Sequence, residues 1–311
     1  MFSQRCELCP RRCGVNRNAG KVGHCKGGSV AEIFRYGAHH GEEPPVSGTK
    51  GSGTVFFSRC TLGCLYCQNF PWSQEGRGER YGDRQLIDVF RSLAAQGCHN
   101  WNLVSPTPWL PLVKRAIDAL AREGISLPVV YNTSGFENLA TLRDYEGMVD
   151  LWLTDLRYSR RESALAGSGS AGYVEVARAA LKEMWRQKGA VITDSNGIGI
   201  RGTICRLLIL PGKAAEVVEN LEWLTDNVGT DIAVSVMSQY IPAHKAPLAE
   251  PWKRRISLDE YTLVCDAVER LGFDRGWIQD FEGTPPEELV GFQMKSGANI
   301  TNNMELTHER T

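Results

Sequence analysis

From residue 53 onward the chain alternates short apolar runs with longer amphipathic ones. The short runs are Thr54 to Ser58, Trp101 to Ser105, Pro128 to Asn132, Val149 to Asp155, Thr203 to Leu210 and Ile232 to Met237. Several are apolar almost throughout, the pattern of parallel strands covered on both faces. The longer segments carry helical spacing and recognisable ends. In 83–96, Leu86, Phe90, Leu93 and Ala94 share one face, with Asp83 as N-cap and Gly97 as stop. Segments 110–122 and 173–188 close with Gly124 and Gly189, and Ser257 with Glu260 three positions on forms a capping box for a helix ending near Gly272. About six βα units result, which predicts an α/β fold built as a partial or full (β/α) barrel, with a doubly wound open sheet as the alternative.

The first 52 residues break this rhythm. They are rich in Cys, Gly, Arg and His, and the stretch Gly41-Glu42-Glu43-Pro44-Pro45-Val46-Ser47-Gly48 reads as a connection into the barrel. The expected organisation is a small Cys-rich metal-binding module over 1–52, the barrel over 53–283 and a C-terminal extension over 284–311. Gly167-Ser168-Gly169-Ser170 reads as a short flexible loop.

Composition narrows the function. Of 311 residues, 42% are hydrophobic and 23% charged, with a formal net charge of -1, so charge supports neither a nucleic-acid nor a membrane partner. The N-terminus has no apolar signal core and no apolar segment approaches bilayer length, so cytoplasmic residence is the expectation. Ten cysteines are present, and Cys6, Cys9, Cys13, Cys25, Cys60, Cys64 and Cys67 crowd the start of the chain. Such clustering favours metal binding over a disulfide scaffold. Cys98, Cys205 and Cys265 stand alone in apolar stretches and read as small core residues.

Directly after the first predicted barrel strand comes Cys60-Thr61-Leu62-Gly63-Cys64-Leu65-Tyr66-Cys67, spaced C-x3-C-x2-C. Protein-bound 4Fe-4S clusters ordinarily take four thiolates, so three would leave one iron open for a ligand. A zinc site completed by a cysteine from elsewhere is the alternative. A loop at this end of a barrel strand faces the side where barrel enzymes build their active sites.

The motif, with an aromatic residue, Tyr66, ahead of its last cysteine, resembles the cluster motif of the radical S-adenosylmethionine superfamily. Cys67-Gln68-Asn69 after the Gly-rich strand Gly51-Ser52-Gly53-Thr54-Val55-Phe56-Phe57-Ser58 is similar to the pyruvate formate-lyase activating enzyme-like group. The resemblance runs from about Cys6 to Tyr240. It implies a radical S-adenosylmethionine oxidoreductase. A 4Fe-4S cluster on Cys60, Cys64 and Cys67 reduces S-adenosylmethionine, and the resulting 5'-deoxyadenosyl radical abstracts hydrogen from a substrate. It also implies a reducing partner such as flavodoxin or ferredoxin, and, for an activase, a protein substrate.

Further residues are assigned to the cofactor through the same resemblance. Tyr66 and Asn69 flank the last cysteine. Ser105-Pro106-Thr107-Pro108 stands where many members carry a glycine-rich motif; Ser105 and Thr107 offer oxygens to the cofactor's ammonium in its place. Tyr131-Asn132-Thr133-Ser134-Gly135 is similar to an Asp-Thr-Asn-Gly stretch, which assigns Asn132 and Ser134. Asp155-Leu156-Arg157 is similar to an Asp-x-Lys motif, with arginine in place of lysine. Arg206 lies in an apolar run ending Pro211-Gly212 and needs an anion, either the cofactor carboxylate or Asp155. Tyr240 and His244 come from a stretch similar to the family's Pro-Tyr-His, while His39 and His40 read as surface residues.

Cys6, Cys9, Cys13 and Cys25 are spaced C-x2-C-x3-C-x11-C among turn-forming glycines. Four thiolates saturate either a structural Zn2+ or a second 4Fe-4S cluster, and zinc is favoured because a loop-rich module needs a metal to fold. The functional alternatives are a glycyl-radical activase, a radical enzyme acting on a metabolite or peptide, and, from another class, a non-catalytic zinc- or RNA-binding protein. The substrate is not fixed by these motifs.

Overall fold

A computed structural model of the chain describes residues 2–281, so the expected extension 284–311 lies outside the described residues. The strands are β1 (Ala31–His39), β2 (Ser52–Phe57), β3 (Glu79–Tyr81), β4 (Trp101–Val104), β5 (Val129–Thr133), β6 (Leu151–Asp155), β7 (Ile192–Thr193), β8 (Gly199–Leu208), β9 (Ala233–Met237) and β10 (Gly276–Ile278). They form one sheet in the order β10-β9-β8-β6-β5-β4-β2-β1-β3, with β7 paired to β8. From β2 to β10 the path is parallel, while β1 joins β2 antiparallel and β3 follows β1 antiparallel at the edge. Among the described residues the two edges do not pair, so this is an open, partial barrel.

The helices are α1 (Pro44–Ser47), α2 (Phe70–Ser73), α3 (Asp83–Ala95), α4 (Leu110–Arg122), α5 (Leu139–Asp144), α6 (Arg161–Ser168), α7 (Tyr173–Lys188), α8 (Ala214–Asn227) and α9 (Leu258–Arg270). Leu86, Phe90 and Leu93 of α3 bury against β2 and β4 as their spacing requires. Gly82, not Asp83, caps α3. At α9 the capping box is present, with Ser257 accepting from the Glu260 N–H and Glu260 accepting from the Ser257 N–H. Among the described residues no helix is long and apolar enough to cross a membrane.

Curvature of the sheet is what makes a site. β4 and β8 are separated by β5 and β6, which on a flat sheet would put them about 14 Å apart. Yet Asn102 of β4 and Arg206 of β8 both reach the carboxylate of Glu42, at 3.0 and 3.5 Å. The concave face therefore wraps around the segment following β1. Val46 of α1 packs inside it against Val130, Leu151, Leu153, Ile204 and Ala233.

Residues 31–48 are thus part of the barrel, not a loop-rich appendage joined to it by a linker. β1 pairs with β2 along its length, and α1 plugs the end of the sheet where the parallel strands begin. The expected loop at 167–170 also differs, since Gly167 and Ser168 end α6 and the Ser168 hydroxyl donates to the Ala164 carbonyl. Cys98 and Cys205 are core residues, whereas Cys265 is half-buried.

Candidate functional site

β2 delivers the chain into the cysteine loop through a strained residue. Arg59 holds φ +75, a left-handed conformation that a side chain disfavours, and is fixed there by its ion pair with Glu32 at 2.7 Å. Beyond it the loop is tied on several sides. Leu65 N–H donates to the Gly167 carbonyl, Lys245 N–H donates to the Leu65 carbonyl, and Gln74 Nε2 donates to the Cys64 carbonyl. Gly167 is required for this approach, because a Cβ there would stand 2.3 Å from the Tyr158 hydroxyl oxygen. That hydroxyl in turn shares a 2.6 Å hydrogen bond with Tyr66.

Each sulfur in the loop has a polar neighbour. Leu62 N–H points at Cys60 Sγ at 3.5 Å, Arg157 Nη1 at Cys64 Sγ at 3.2 Å, and the Ser73 hydroxyl lies 3.2 Å from Cys67 Sγ. Burial pushes the Cys60 thiol up to about 11 and Cys64 to about 12, and raises Cys67. Thiols in such surroundings ionise only when a cation accompanies them, which iron supplies on binding. Among the described residues no three His, Cys, Asp or Glu side chains are gathered tightly enough for one metal ion. A cubane makes no such demand, because each thiolate binds a different iron. The donor set therefore fits a cluster held by three cysteines.

Beside the loop lies a cavity of about 710 Å³. Tyr66, Cys67 and Asn69 line it from the cysteine side; Ser105, Asn132 and Ser134 line it from the ends of β4 and β5. Asp155, Arg157, Arg206 and Tyr240 complete the set that the sequence assigned to it. Thr107 and His244 are not among the lining residues. Thr107 turns away to donate to Glu137 at 2.8 Å, and His244, at φ +53, stacks on Phe70 with ring centroids 4.7 Å apart. His39, expected on the surface, lines the cavity, and burial lowers it to about 4.

Asp155 is the hub of the charged groups. Arg206 Nε donates to its Oδ1 at 2.8 Å and Arg157 Nε to its Oδ2 at 2.9 Å. Burial opposes the carboxylate charge, but Arg206 and Arg157 outweigh it and hold the carboxyl below its usual range. Arg206 also donates to Asn132 Oδ1 at 2.7 Å. Of the two anions open to Arg206 from the sequence, Asp155 is the one it meets here.

Sequence reasoning missed three glutamates. Glu42 and Glu43 line the cavity; Glu43 is buried, and Glu42, half-buried overall, keeps its side chain only 8% exposed. Glu137 lies behind it, accepting from Thr107 and Thr133, with Oε2 unpartnered and burial raising its carboxyl to about 7. A folded value above the usual 4.5 means a penalty absent at acid pH that grows as pH rises through about 7, by about 3 kcal/mol. Glu137→Gln should therefore gain stability over the parent as pH rises from 5 to 8, read by urea unfolding at each pH. A gap that shrinks with pH would contradict this.

At the N-terminus the four cysteines lie near one another. Cys9 lies within electrostatic reach of Cys25 and Cys13, and Cys25 of Cys6 and Cys13. His24 N–H points at Cys13 Sγ at 3.3 Å and Gly27 N–H at Cys25 Sγ at 3.5 Å. The buried Arg17 guanidinium lies over the Phe2 ring and donates to the Gly28 and Pro108 carbonyls, anchoring this segment to the barrel. By softness these donors suit zinc or a cluster alike, but as they stand no three of them are gathered tightly enough for one metal ion.

No family model matches the chain. It is similar to an uncharacterized protein of Methanocaldococcus jannaschii, with 24% identity over 284 residues covering 87% of this chain and 76% of that protein. Among solved structures it is similar to methylornithine synthase (PylB), with TM-score 0.49 and 18% identity over 74% of this chain and 65% of that one. Another is anSMEcpe with bound AdoMet, with TM-score 0.46 and 10% identity over 71% and 62%. A third is Streptococcus suis SuiB, with TM-score 0.47 and 11% identity over 72% and 47%. The chain spans less than two thirds of each of these three solved chains.

Proposed function

We propose that the protein is a radical S-adenosylmethionine enzyme whose substrate occupies the 710 Å³ cavity. One observation carries this reading: three thiols on one loop, at the end of the barrel where the parallel strands finish, with Cys67 on the wall of a cavity that also holds Asp155, Arg157 and Arg206. When bound, a 4Fe-4S cluster and S-adenosylmethionine would supply an electron and a carbon-centred radical able to take hydrogen from a substrate.

The chain's own residues do the rest. Cys60, Cys64 and Cys67 would hold the cluster, and three thiolates would leave one iron for the cofactor. Arg157 sets a positive charge against Cys64 Sγ, which favours the reduced state. Asn132, Ser134 and the Asp155–Arg206 pair offer polar groups for the cofactor's ammonium and carboxylate. Buried tyrosines and Trp252 close the space around Tyr66 against water, which protects a radical from side reactions. A small flavin or iron–sulfur protein would serve as reductant. The test is anaerobic conversion of S-adenosylmethionine to 5'-deoxyadenosine and methionine by iron- and sulfide-reconstituted protein. Failure to convert it with a strong reductant would overturn the reading.

We also propose that Cys6, Cys9, Cys13 and Cys25 draw together around a structural zinc when it binds, since four thiolates complete its shell. Protein lacking the three loop cysteines should retain about one zinc per chain. Cys9→Ala should make the segment ahead of Ala31 protease-sensitive, since metal affinity there is folding energy. About four irons per chain in that protein would mean a second cluster instead.

A further inference from the structure

The floor of the cavity is built from Gly41-Glu42-Glu43-Pro44, a segment that the proposed chemistry does not use. It enters from the start of β2, where His39 pairs with Ser52, whereas the cysteine loop leaves from the other end of that strand. The segment's side chains nonetheless reach up toward the rim, since Arg206 joins Glu42 to Asp155 and Arg157 joins Asp155 to Cys64 Sγ. The cavity is thus bounded by thiols at its rim and by carboxylates at its floor.

Those carboxylates are not balanced by their surroundings. Glu42 accepts from Asn102 at 3.0 Å and Asn132 at 3.3 Å, with Arg206 at 3.5 Å. Glu43 meets Ser235 with its carboxylate, but its Oε2 is buried with no hydrogen-bond partner at all. Glu43 is only 8% exposed. Asp155 already engages both guanidiniums of the lining, Arg157 and Arg206, leaving the glutamates in excess of cations. His39 does not redress this, because burial keeps it neutral. A buried carboxylate without a partner costs several kilocalories unless it is protonated or meets a cation. Burial raises both glutamates above the usual carboxylate range, the response expected while the floor lacks one.

We propose that Glu42 and Glu43 form a subsite for a protonated amine or guanidinium carried by a small-molecule substrate. The substrate's cationic end is held on the floor, and its remaining carbons extend toward the cysteine rim, past Phe56 and Trp277 on the cavity wall. The inference rests on the reading of this cavity as a radical enzyme's substrate chamber, and it names the substrate class.

The test uses reconstituted full-length protein titrated calorimetrically with n-butylammonium and n-butylguanidinium, with butyramide and butyrate as neutral and anionic controls. Each titration is run with and without saturating S-adenosylmethionine, because the cofactor also carries an ammonium. The expected result is binding of the cations alone, retained with S-adenosylmethionine present and weakened at least about tenfold in Glu43→Gln. Glu43→Gln should also melt no lower than the parent, since it removes a buried unpaired charge, so lost binding is not lost fold. Glu42→Gln serves as a second variant with the same expected weakening. Equal binding of butyramide, no cation binding, or cation binding abolished by S-adenosylmethionine would each overturn the proposal, the last by assigning the floor to the cofactor. Cleavage of S-adenosylmethionine is assayed in parallel on the parent protein. Cleavage without cation binding would sink this inference alone, and cation binding without cleavage would sink the radical reading while the subsite stands.

Discussion

Replacing Cys60, Cys64 and Cys67 with alanine is expected to remove the barrel-loop iron and reduce S-adenosylmethionine cleavage to the level of a no-enzyme control. All three thiols belong to one short loop, and each holds a separate iron in the proposed arrangement, so no neighbouring side chain can substitute. The loop is tied mainly through backbone groups and Gln74, and the sulfurs add only the long contacts from Leu62 N–H, Arg157 and Ser73, so the variant should keep its barrel and its far-ultraviolet spectrum. Iron analysis alongside product chromatography reads both effects. Cleavage that persists in the triple variant would remove the assignment.

Arg206→Ala should be the most destabilising single change within the cavity, by about 3 to 5 kcal/mol at neutral pH. Its guanidinium, 14% exposed, is shared among Asp155, Asn132 and Glu42. Removing it leaves Asp155 with Arg157 alone and takes the nearest cation from both floor glutamates. Asp155 has its folded carboxyl held low, so its share of this stability is present above its unfolded value of 3.8 and fades as pH falls below that. Arg206→Lys should recover only part of the loss, because an ammonium cannot span Asp155 and Asn132 in one plane. Urea unfolding of the three proteins at pH 7 measures this, with S-adenosylmethionine affinity expected to fall in the same order. An alanine variant as stable as the parent would show that the cluster of charges is not held together through Arg206.

The parallel strands were legible because each is buried on both faces and reads as a continuous apolar run; β4 and β9 fall within a residue of the expected spans. β1 was not, since Arg35, Tyr36 and Gly37 interrupt the apolar pattern of the strand. β10, at three residues, is too short to carry a period. Within the site, the cysteines and the strand-end residues Asn132, Asp155 and Arg206 were visible because spacing and strand position are local properties. Glu42 and Glu43 were hidden for the opposite reason: two glutamates before two prolines look like solvated linker until the curled sheet closes over them. The two histidine readings failed alike. His39 is half-buried by the pairing of β1 with β2, and His244 is taken up by stacking on Phe70, neither of which is written in local sequence.

The central claim is that three thiolates hold a cluster with one iron left for S-adenosylmethionine. Electron paramagnetic resonance of the dithionite-reduced, reconstituted protein, recorded before and after adding S-adenosylmethionine, tests it most directly. The expected result is a cluster signal that is absent from the Cys60, Cys64, Cys67 triple variant and that shifts its g values when the cofactor is added. A signal from the parent that is unmoved by S-adenosylmethionine, or that survives in the triple variant unchanged, would contradict it.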